Sequence, residues 1–518
     1  MSVSKTGRMP VGQTWLIQEL GLAVPPPAIE SCVVAAARRT ETHGARTRES
    51  YPMRYAPEDS VVSHLRFALR HEAFDLGALV AALEAIDPGE IEAWVRAQPT
   101  GAFSRRAWFL YETFTGRTLD LPDASVGNYV GALDPDRHVV AARRNSKRHR
   151  VADNLLGEPG LCPSVRLTGR LREAMESNLD GEARALTEGY DPDLLTRAVN
   201  YLYTKETRSS FALEGETPSA GRAERFVAAL QSAAAFDPSD KSALVALQRT
   251  IVDSRYAADG WRDIQNFVGE TLGGYREKVH FICPRPEDVP DLMNAWIALT
   301  RRIAGGDVDP VVAAAVSSFA FVFIHPFEDG NGRIHRFMMH HVLARRGYGP
   351  PGVILPVSAA ILRDRRRYDD VLAGFSTPLL DLIRWEWRDG EAHTPGRQMV
   401  VKSDIAHLYR HFDATAMAEY LYDRVADSVR RDLREELDFV AVFDQALGGV
   451  REIVDMPDRR ASLLVRLCMQ NGGRLAARKR ARFAELTDDE VAAMEDAVLR
   501  AMSAGGGQAN STNTWRAQ

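Results

Sequence analysis

Where the alternation of apolar and polar positions along this chain is regular, it is almost everywhere helical. From Val311 to Ile324 nearly every residue is apolar, which predicts a helix buried on all sides and ending near His325. Phe337-Met338-Met339 and Val342-Leu343 predict a second helix beginning near Asn331, with 325–330 as the loop between them. Asp191-Pro192 has the form of a helix start, and Leu195, Val199 and Leu202 carry a one-sided stripe that can run on to Gly215. Ser210 and Glu214, four positions apart, then share a face. Further helices are expected over Val61–Leu69, Leu76–Ile86 and Ile91–Ala97, in a separate helical region spanning 1–165. Beyond about 395 they are expected over Met417–Val429, Leu433–Leu447 and Arg459–Gln470, and from Asp488, where Thr487 and Glu490 have capping-box spacing. The β signal is short: Gly273-Gly274-Tyr275-Arg276, then Val279–Ile282, then Cys283-Pro284-Arg285-Pro286, read as a hairpin. The fold class is mainly α, with a central domain over 190–390, a C-terminal helical domain over 395–505 and a flexible polar tail at 506–518.

Composition narrows the setting. A chain of 518 residues with 45% hydrophobic content can fill the cores of two to four domains. Its net charge of −5 and pI near 6.3 exclude a polycation that seeks nucleic acid or acidic membrane with its whole surface. Cys32, Cys162, Cys283 and Cys468 lie far apart with no CxxC pair, which argues against a zinc knuckle or disulfide framework and suits a reducing cytoplasm. Met1-Ser2-Val3-Ser4-Lys5 lacks an apolar secretion core, and no window approaches about eighteen continuous apolar residues, so no membrane partner is expected. Two basic runs remain. Arg143–Arg150 has no interleaved aromatic platform, and it reads as a solvated or ion-paired segment. Asn471-Gly472-Gly473 followed by Arg474, Arg478, Lys479, Arg480 and Arg482 has a helix-turn-helix or winged-helix outline. A basic face docked on Asp488 and Asp489 is the favoured reading there, and DNA contact the second.

The chemistry concentrates at His325-Pro326-Phe327-Glu328-Asp329-Gly330-Asn331-Gly332-Arg333-Ile334-His335-Arg336. Gly330 and Gly332 allow successive amides to turn inward as an anion nest at a helix N-terminus. Asp329 is a hard oxygen ligand of the kind Mg²⁺ takes beside phosphates, and Arg333 and Arg336 can fork onto phosphate oxygens. His325, just outside the nest, can act as a general base on an incoming hydroxyl. Any one of these residues alone would be a turn glycine, a cap or a surface arginine. Eight fixed positions together match by chance on the order of 10⁻⁸ times in a chain of this length. Nearby His335, His340 and His341 lack metal-ligand spacing and are expected to pack.

These residues resemble the Fic family, whose signature His-x-Phe-x-Asp/Glu-Gly-Asn-Gly-Arg-x-x-Arg is met at every fixed position. The resemblance implies a helical Fic core with a β-hairpin flap, flanked here by helical N- and C-terminal regions. It also implies transfer of AMP from ATP to a Ser, Thr or Tyr hydroxyl of a protein. By position, His325 would be the base, Asp329 the Mg²⁺ ligand and Asn331 a phosphate anchor, with Arg333 and Arg336 on the β- and γ-phosphates. Relatives that phosphorylate carry Lys where this chain has Gly332, so AMP transfer is favoured, without excluding other nucleotides. The hairpin would be the flap, docking a target protein near 276–286 by strand addition. Ile354–Ser358 and Arg363–Tyr368 resemble the segment that walls the nucleotide base, with Tyr368 as the candidate adenine contact.

Ser210-Phe211-Ala212-Leu213-Glu214-Gly215 resembles the family's inhibitory pattern, a much less specific one: roughly 0.4 chance matches are expected in a chain this long. At the end of its helix Glu214 meets the negative dipole pole and requires a cation. The resemblance supplies Arg336, which Glu214 would hold away from the γ-phosphate. Self-modification and a homo-oligomer are compatible with this reading. Two alternatives stand beside it. One is removal of AMP, with Glu214 orienting water; the other is a DNA-binding regulator with a nucleotide-sensing core.

Overall fold

Acidic and hydroxyl side chains open several of the expected helices. Asp309 accepts the N–H groups of Val311 (2.9 Å) and Val312 (3.1 Å) with Pro310 in the first turn. Ser60, Asp75 and Asp87 cap the helices Val61–His71, Leu76–Ala85 and Pro88–Ala97 in the same way. The computed structural model describes residues 8–43, 46–272, 276–389 and 397–505. The expected tail, the N-terminal Met1–Lys5 and the hairpin tip at 273–275 lie outside them. The chain divides into two units, one of 1–178, 207–348 and 361–424, the other of 179–206, 349–360 and 425–518. The helix Pro192–Leu213 contributes residues to both.

In the first unit the N-terminal helices bury Leu65, Leu69, Leu79, Leu83, Ile91, Val95, Trp108 and Tyr111 in one core. The helix Ala102–Thr115 escapes the sequence pattern because its buried face includes Arg105 and Arg106. Arg106 reaches the carbonyls of Leu69 (3.1 Å) and Gly131 (2.9 Å) from inside. A four-stranded sheet also enters this region, in the order Met9–Pro10, Ile29–Val34, Arg46–Pro52, Arg39–His43. Its two strands latest in sequence, Arg39–His43 and Arg46–Pro52, are polar and present no apolar alternation. Within the basic run 143–150, Glu112 holds Arg148 (2.8 Å) and His149 (2.9 Å).

The centre of the first unit is the helix Pro310–Ile324, whose residues Val311–Ile324 are all buried, packed on Asn331–Arg345. Trp296, on the helix Val289–Ile303, donates its indole N–H to the Ser317 carbonyl (2.8 Å), and Phe323 stacks on Phe375 at 3.9 Å. The strands Phe267–Leu272 and Arg276–Ile282 form the expected antiparallel hairpin, with a register shift between Val268 and Gly269. A second hairpin, Trp385–Asp389 with Arg397–Val401, was not anticipated. The segment around 410–415, expected with the C-terminal domain, belongs instead to the first unit. There Ser164 donates to the Phe412 carbonyl (2.9 Å), Ala414 donates to the Ser164 carbonyl (2.8 Å), and Arg166 pairs with Asp413 (2.7 Å).

The second unit buries Val442, Ala446, Val450, Leu464, Val465, Cys468, Met494 and Val498 between Arg434–Ile453, Asp458–Met469 and Asp488–Gly505. Lys205 bridges Asp432 (3.0 Å) and Glu436 (3.2 Å). The helix-turn-helix outline is corrected here. Arg478, Lys479, Arg480 and Arg482 lie on a seven-residue 3-10 helix, Ala477–Phe483, and Arg480 is held by Asp488 (2.8 Å) and the Leu486 carbonyl (2.6 Å). The α-helix that follows begins with Asp488, Asp489 and Glu490, so the basic run itself does not form the expected α-helix. No described helix is long and apolar enough to cross a membrane.

Thr487 and Glu490 form the expected reciprocal cap, Glu490 N–H to the Thr487 hydroxyl (3.2 Å) and Thr487 N–H to the Glu490 carboxylate (2.7 Å). Thr487→Ala is expected to cost about 1 kcal/mol and to speed amide exchange in the first turn of Asp488–Gly505. Unchanged exchange there would contradict the cap.

Candidate active site

The helix Pro310–Ile324 stops because His325 adopts a left-handed conformation (φ 53°), with its N–H still bonded to the Phe321 carbonyl at 3.0 Å. A non-glycine residue holds this conformation only where its surroundings enforce it. His325 Nδ1 donates to the Val322 carbonyl (3.1 Å), which leaves the lone pair on Nε2 as the basic site. Burial pushes the imidazole down to about 4, opposed by the Val322 bond and assisted by the Arg262 charge. The ring is therefore neutral at physiological pH.

The loop that follows is braced from within. Asn331 accepts the Phe327 N–H (3.0 Å) and donates to the Phe327 carbonyl (2.7 Å) from a side chain that is 2% exposed. The structure thus gives the Asn331 side chain to the loop backbone. Gly330 (φ 89°) is the turn into the helix Asn331–Arg345, and Gly332 lies in its first turn. The amides there have no intrahelical acceptor and form the positive pole of the helix. Asp329, with a side chain 46% exposed, takes the Gly330 N–H (2.6 Å) and Arg333 (2.9 Å) on Oδ1. A half-exposed carboxylate beside a helix N-terminus and an arginine is of the kind that fits Mg²⁺, which keeps several waters and takes one or two carboxylates.

Both motif arginines are 1% exposed and both are met by carboxylates. Arg333 pairs with Glu216 (3.1 Å) and Asp329 and lies over the Phe211 ring at 5.2 Å. Arg336 donates to Glu214 (2.7 Å), the Ser210 hydroxyl (3.0 Å) and the Ser210 carbonyl (2.7 Å). The helix Pro192–Leu213 ends just before Glu214, and Gly215 turns the chain at φ 72°. Glu214 Oε1 reaches so far over the nest that a Cβ on Gly332 would lie 2.2 Å from it. Burial pushes the Glu214 carboxyl up, but Arg336, Arg333 and His325 together hold it below the usual carboxylate range.

The structure therefore gathers Ser210, Glu214, Gly215, His325, Asp329, Gly330, Asn331, Gly332, Arg333 and Arg336 around one helix N-terminus. Tyr368 is the exception in kind. It is 7% exposed, its ring stacked 6.1 Å from His335 and tilted 6.0 Å from Tyr420, a packed position. His335 and His341 donate to separate carbonyls, of Ser318 (2.7 Å) and Ala233 (2.8 Å). Sequence reading missed Glu216, Gln248, Arg262 and Asn266. Gln248 donates to the Asp329 carbonyl (3.3 Å), Asn266 to the Glu328 carbonyl (3.2 Å), and Arg262 to the His325 carbonyl (2.7 Å). None of them carried a spacing signal: Glu216 meets the Arg333 side chain from a distant segment, and the other three act on the backbone of one.

Residues 238–343 match the model of the Fic/DOC family. The chain is similar to a protein adenylyltransferase Fic of Nematostella vectensis, 38% identical over 86 residues, or 16% of this chain and 20% of that protein. It is also similar to one of Drosophila grimshawi, 30% identical over 152 residues, or 26% and 30%. The matches thus span less than a third of these relatives' length. A solved Fic family protein from Desulfovibrio desulfuricans G20 is similar over 61% of this chain and 87% of its own, at 21% identity and a TM-score of 0.38. The segment built around His325 and its anion nest is a Fic domain.

Proposed function

We propose that this chain is a protein adenylyltransferase restrained by its own helix, transferring AMP from ATP to a Ser, Thr or Tyr hydroxyl of a target protein or of itself. The observation that carries the reading is the capture of Arg336 by Glu214 and Ser210, directly over Gly332. A carboxylate held by a phosphate-type arginine at a helix N-terminus stands where a phosphate would bind, so the same geometry argues for the substrate's chemistry and for its exclusion. The likeness to curated adenylyltransferases supports AMP over other transferred groups.

In the transfer, His325 Nε2 takes the proton of the target hydroxyl while that oxygen attacks the α-phosphorus of ATP. The O–P bond forms as the bond from the α-phosphorus to the bridging oxygen breaks, and pyrophosphate leaves. With Glu214 displaced, Arg336 and the amides around Gly332 hold the departing phosphates, with Arg333 beside them. Asp329 would hold Mg²⁺, which supplies charge neutralisation between phosphates. The hairpin Phe267–Leu272 and Arg276–Ile282 is a two-stranded sheet, and strand addition along it would present the target hydroxyl. A cytoplasmic setting suits four buried free cysteines and an ATP substrate.

Glu214→Gly is expected to label itself or a target with AMP from labelled ATP and Mg²⁺, read by intact mass, and Glu214→Gly with His325→Ala to fall by about 10²- to 10⁴-fold. Silence of Glu214→Gly with every nucleotide would move the reading to AMP removal. Only the neutral base can accept the proton, and it is present above its own pKa. Because His325 is held near 4, the rate of Glu214→Gly should stay flat from about pH 6 to about pH 8. An acid limb at the ordinary imidazole value of 6.5 would show a solvated ring instead. Asp329→Ala should abolish the Mg²⁺ dependence of nucleotide binding, and retained dependence would place the metal elsewhere.

A further inference from the structure

We propose that Arg262 is a positioning residue, which fastens the base of the hairpin to the catalytic loop so that the target hydroxyl and His325 share one rigid frame. The inference rests on the transfer reading above.

Arg262 is 5% exposed and, among the described residues, no carboxylate forms an ion pair with it. Its guanidinium is given entirely to backbone carbonyls: Nε to His325 (2.7 Å), Nη1 to Ile264 (2.8 Å) and Nη2 to Pro284 (2.6 Å). Its own N–H bonds to the Pro326 carbonyl (2.9 Å). A buried charge without a counter-ion costs several kcal/mol, so a residue needed only to fill this space would be better replaced by an apolar one. What the charge obtains here is a fork of donors that ends on three separate pieces of chain. His325 belongs to the catalytic loop, Ile264 leads into the strand Phe267–Leu272, and Pro284 follows the strand Arg276–Ile282.

The adjoining residues make the same connection independently. Gln265 donates to the Cys283 carbonyl (2.8 Å), Cys283 N–H to the Asn266 carbonyl (3.1 Å), and Asn266 Nδ2 to the Glu328 carbonyl (3.2 Å). The segment 262–266 thus ties both hairpin strands to His325, Pro326 and Glu328 of the loop 325–330. The attachment at His325 matters most, because the left-handed conformation of that residue fixes where its carbonyl and its ring point together. Freed from Arg262, the carbonyl can rotate and take the imidazole with it. Transfer needs the attacking oxygen and the base within a near-attack geometry, and a displacement of about 1 Å can cost about 10²-fold in rate.

The test places Arg262→Gln, Arg262→Lys and Asn266→Ala in the Glu214→Gly parent. We expect Arg262→Gln to lower kcat for transfer about a hundredfold with KM for ATP within about twofold, Arg262→Lys to recover part of the loss, and Asn266→Ala to lower kcat about tenfold. A merely structural role would move kcat, ATP affinity and melting together without rescue by lysine, and that pattern overturns the proposal. So does a kcat for Arg262→Gln within about threefold of the parent. If Arg262→Gln fails to fold, Asn266→Ala decides, and an unchanged kcat there is fatal. Amide exchange separates this inference from the function it rests on. In Arg262→Gln or Asn266→Ala, protection across 325–329 and across 281–284 should fall together even if the parent transfers nothing, and protection retained in either segment overturns the frame.

Discussion

Two guanidinium groups, Arg333 and Arg336, are folded to 1% exposure in the first turns of one helix, and the architecture around them follows from the need to neutralise that charge. A buried cation with no partner is strongly destabilising. Glu216 and Asp329 meet the first, Glu214 and Ser210 the second. The helix pole adds its own positive potential, so the nest favours an anion whatever its source. Under the proposed function, polyphosphate would not enter an empty site but replace an anion of similar geometry. The proposed restraint would then share a contact with the stability of the fold, and its loss would be tolerable only when another anion or solvent takes over the charge.

Around that charge the loop is held by groups with little room to move. Asn331 closes on both sides of Phe327, Gln248 fixes the Asp329 carbonyl, and His325 sits in a left-handed conformation at the end of an entirely buried helix. Strain of this kind persists only where neighbours over-determine it. Selection on such a loop acts on the backbone as much as on the reacting side chains.

Much of the fold and the core of the site was legible because both are local in sequence. The helix Pro310–Ile324 announces itself by unbroken apolarity, and the motif from His325 to Arg336 compresses base, nest and arginines into twelve positions. That Glu214 needs a cation was legible from the helix end, and Arg336 as that cation came from the family resemblance. The remainder was hidden for physical reasons. Ala102–Thr115 buries arginines that break its stripe, and Arg39–His43 and Arg46–Pro52 are polar strands held by backbone pairing. Asn331 and Tyr368 have residue types that suit a ligand, and only packing shows that one braces a loop and the other a core. Arg262 and Asn266 act on carbonyls, which every residue carries and no pattern marks.

Gly332 carries a consequence beyond its backbone freedom. A Cβ at that position would fall 2.2 Å from the Glu214 carboxylate, well inside contact distance. A side chain there makes the glutamate give way. If the proposed restraint operates, a change of donor reached through residue 332 would also disturb the contact that silences the chain, so the smallest residue in the motif would couple the choice of substrate to the mode of control.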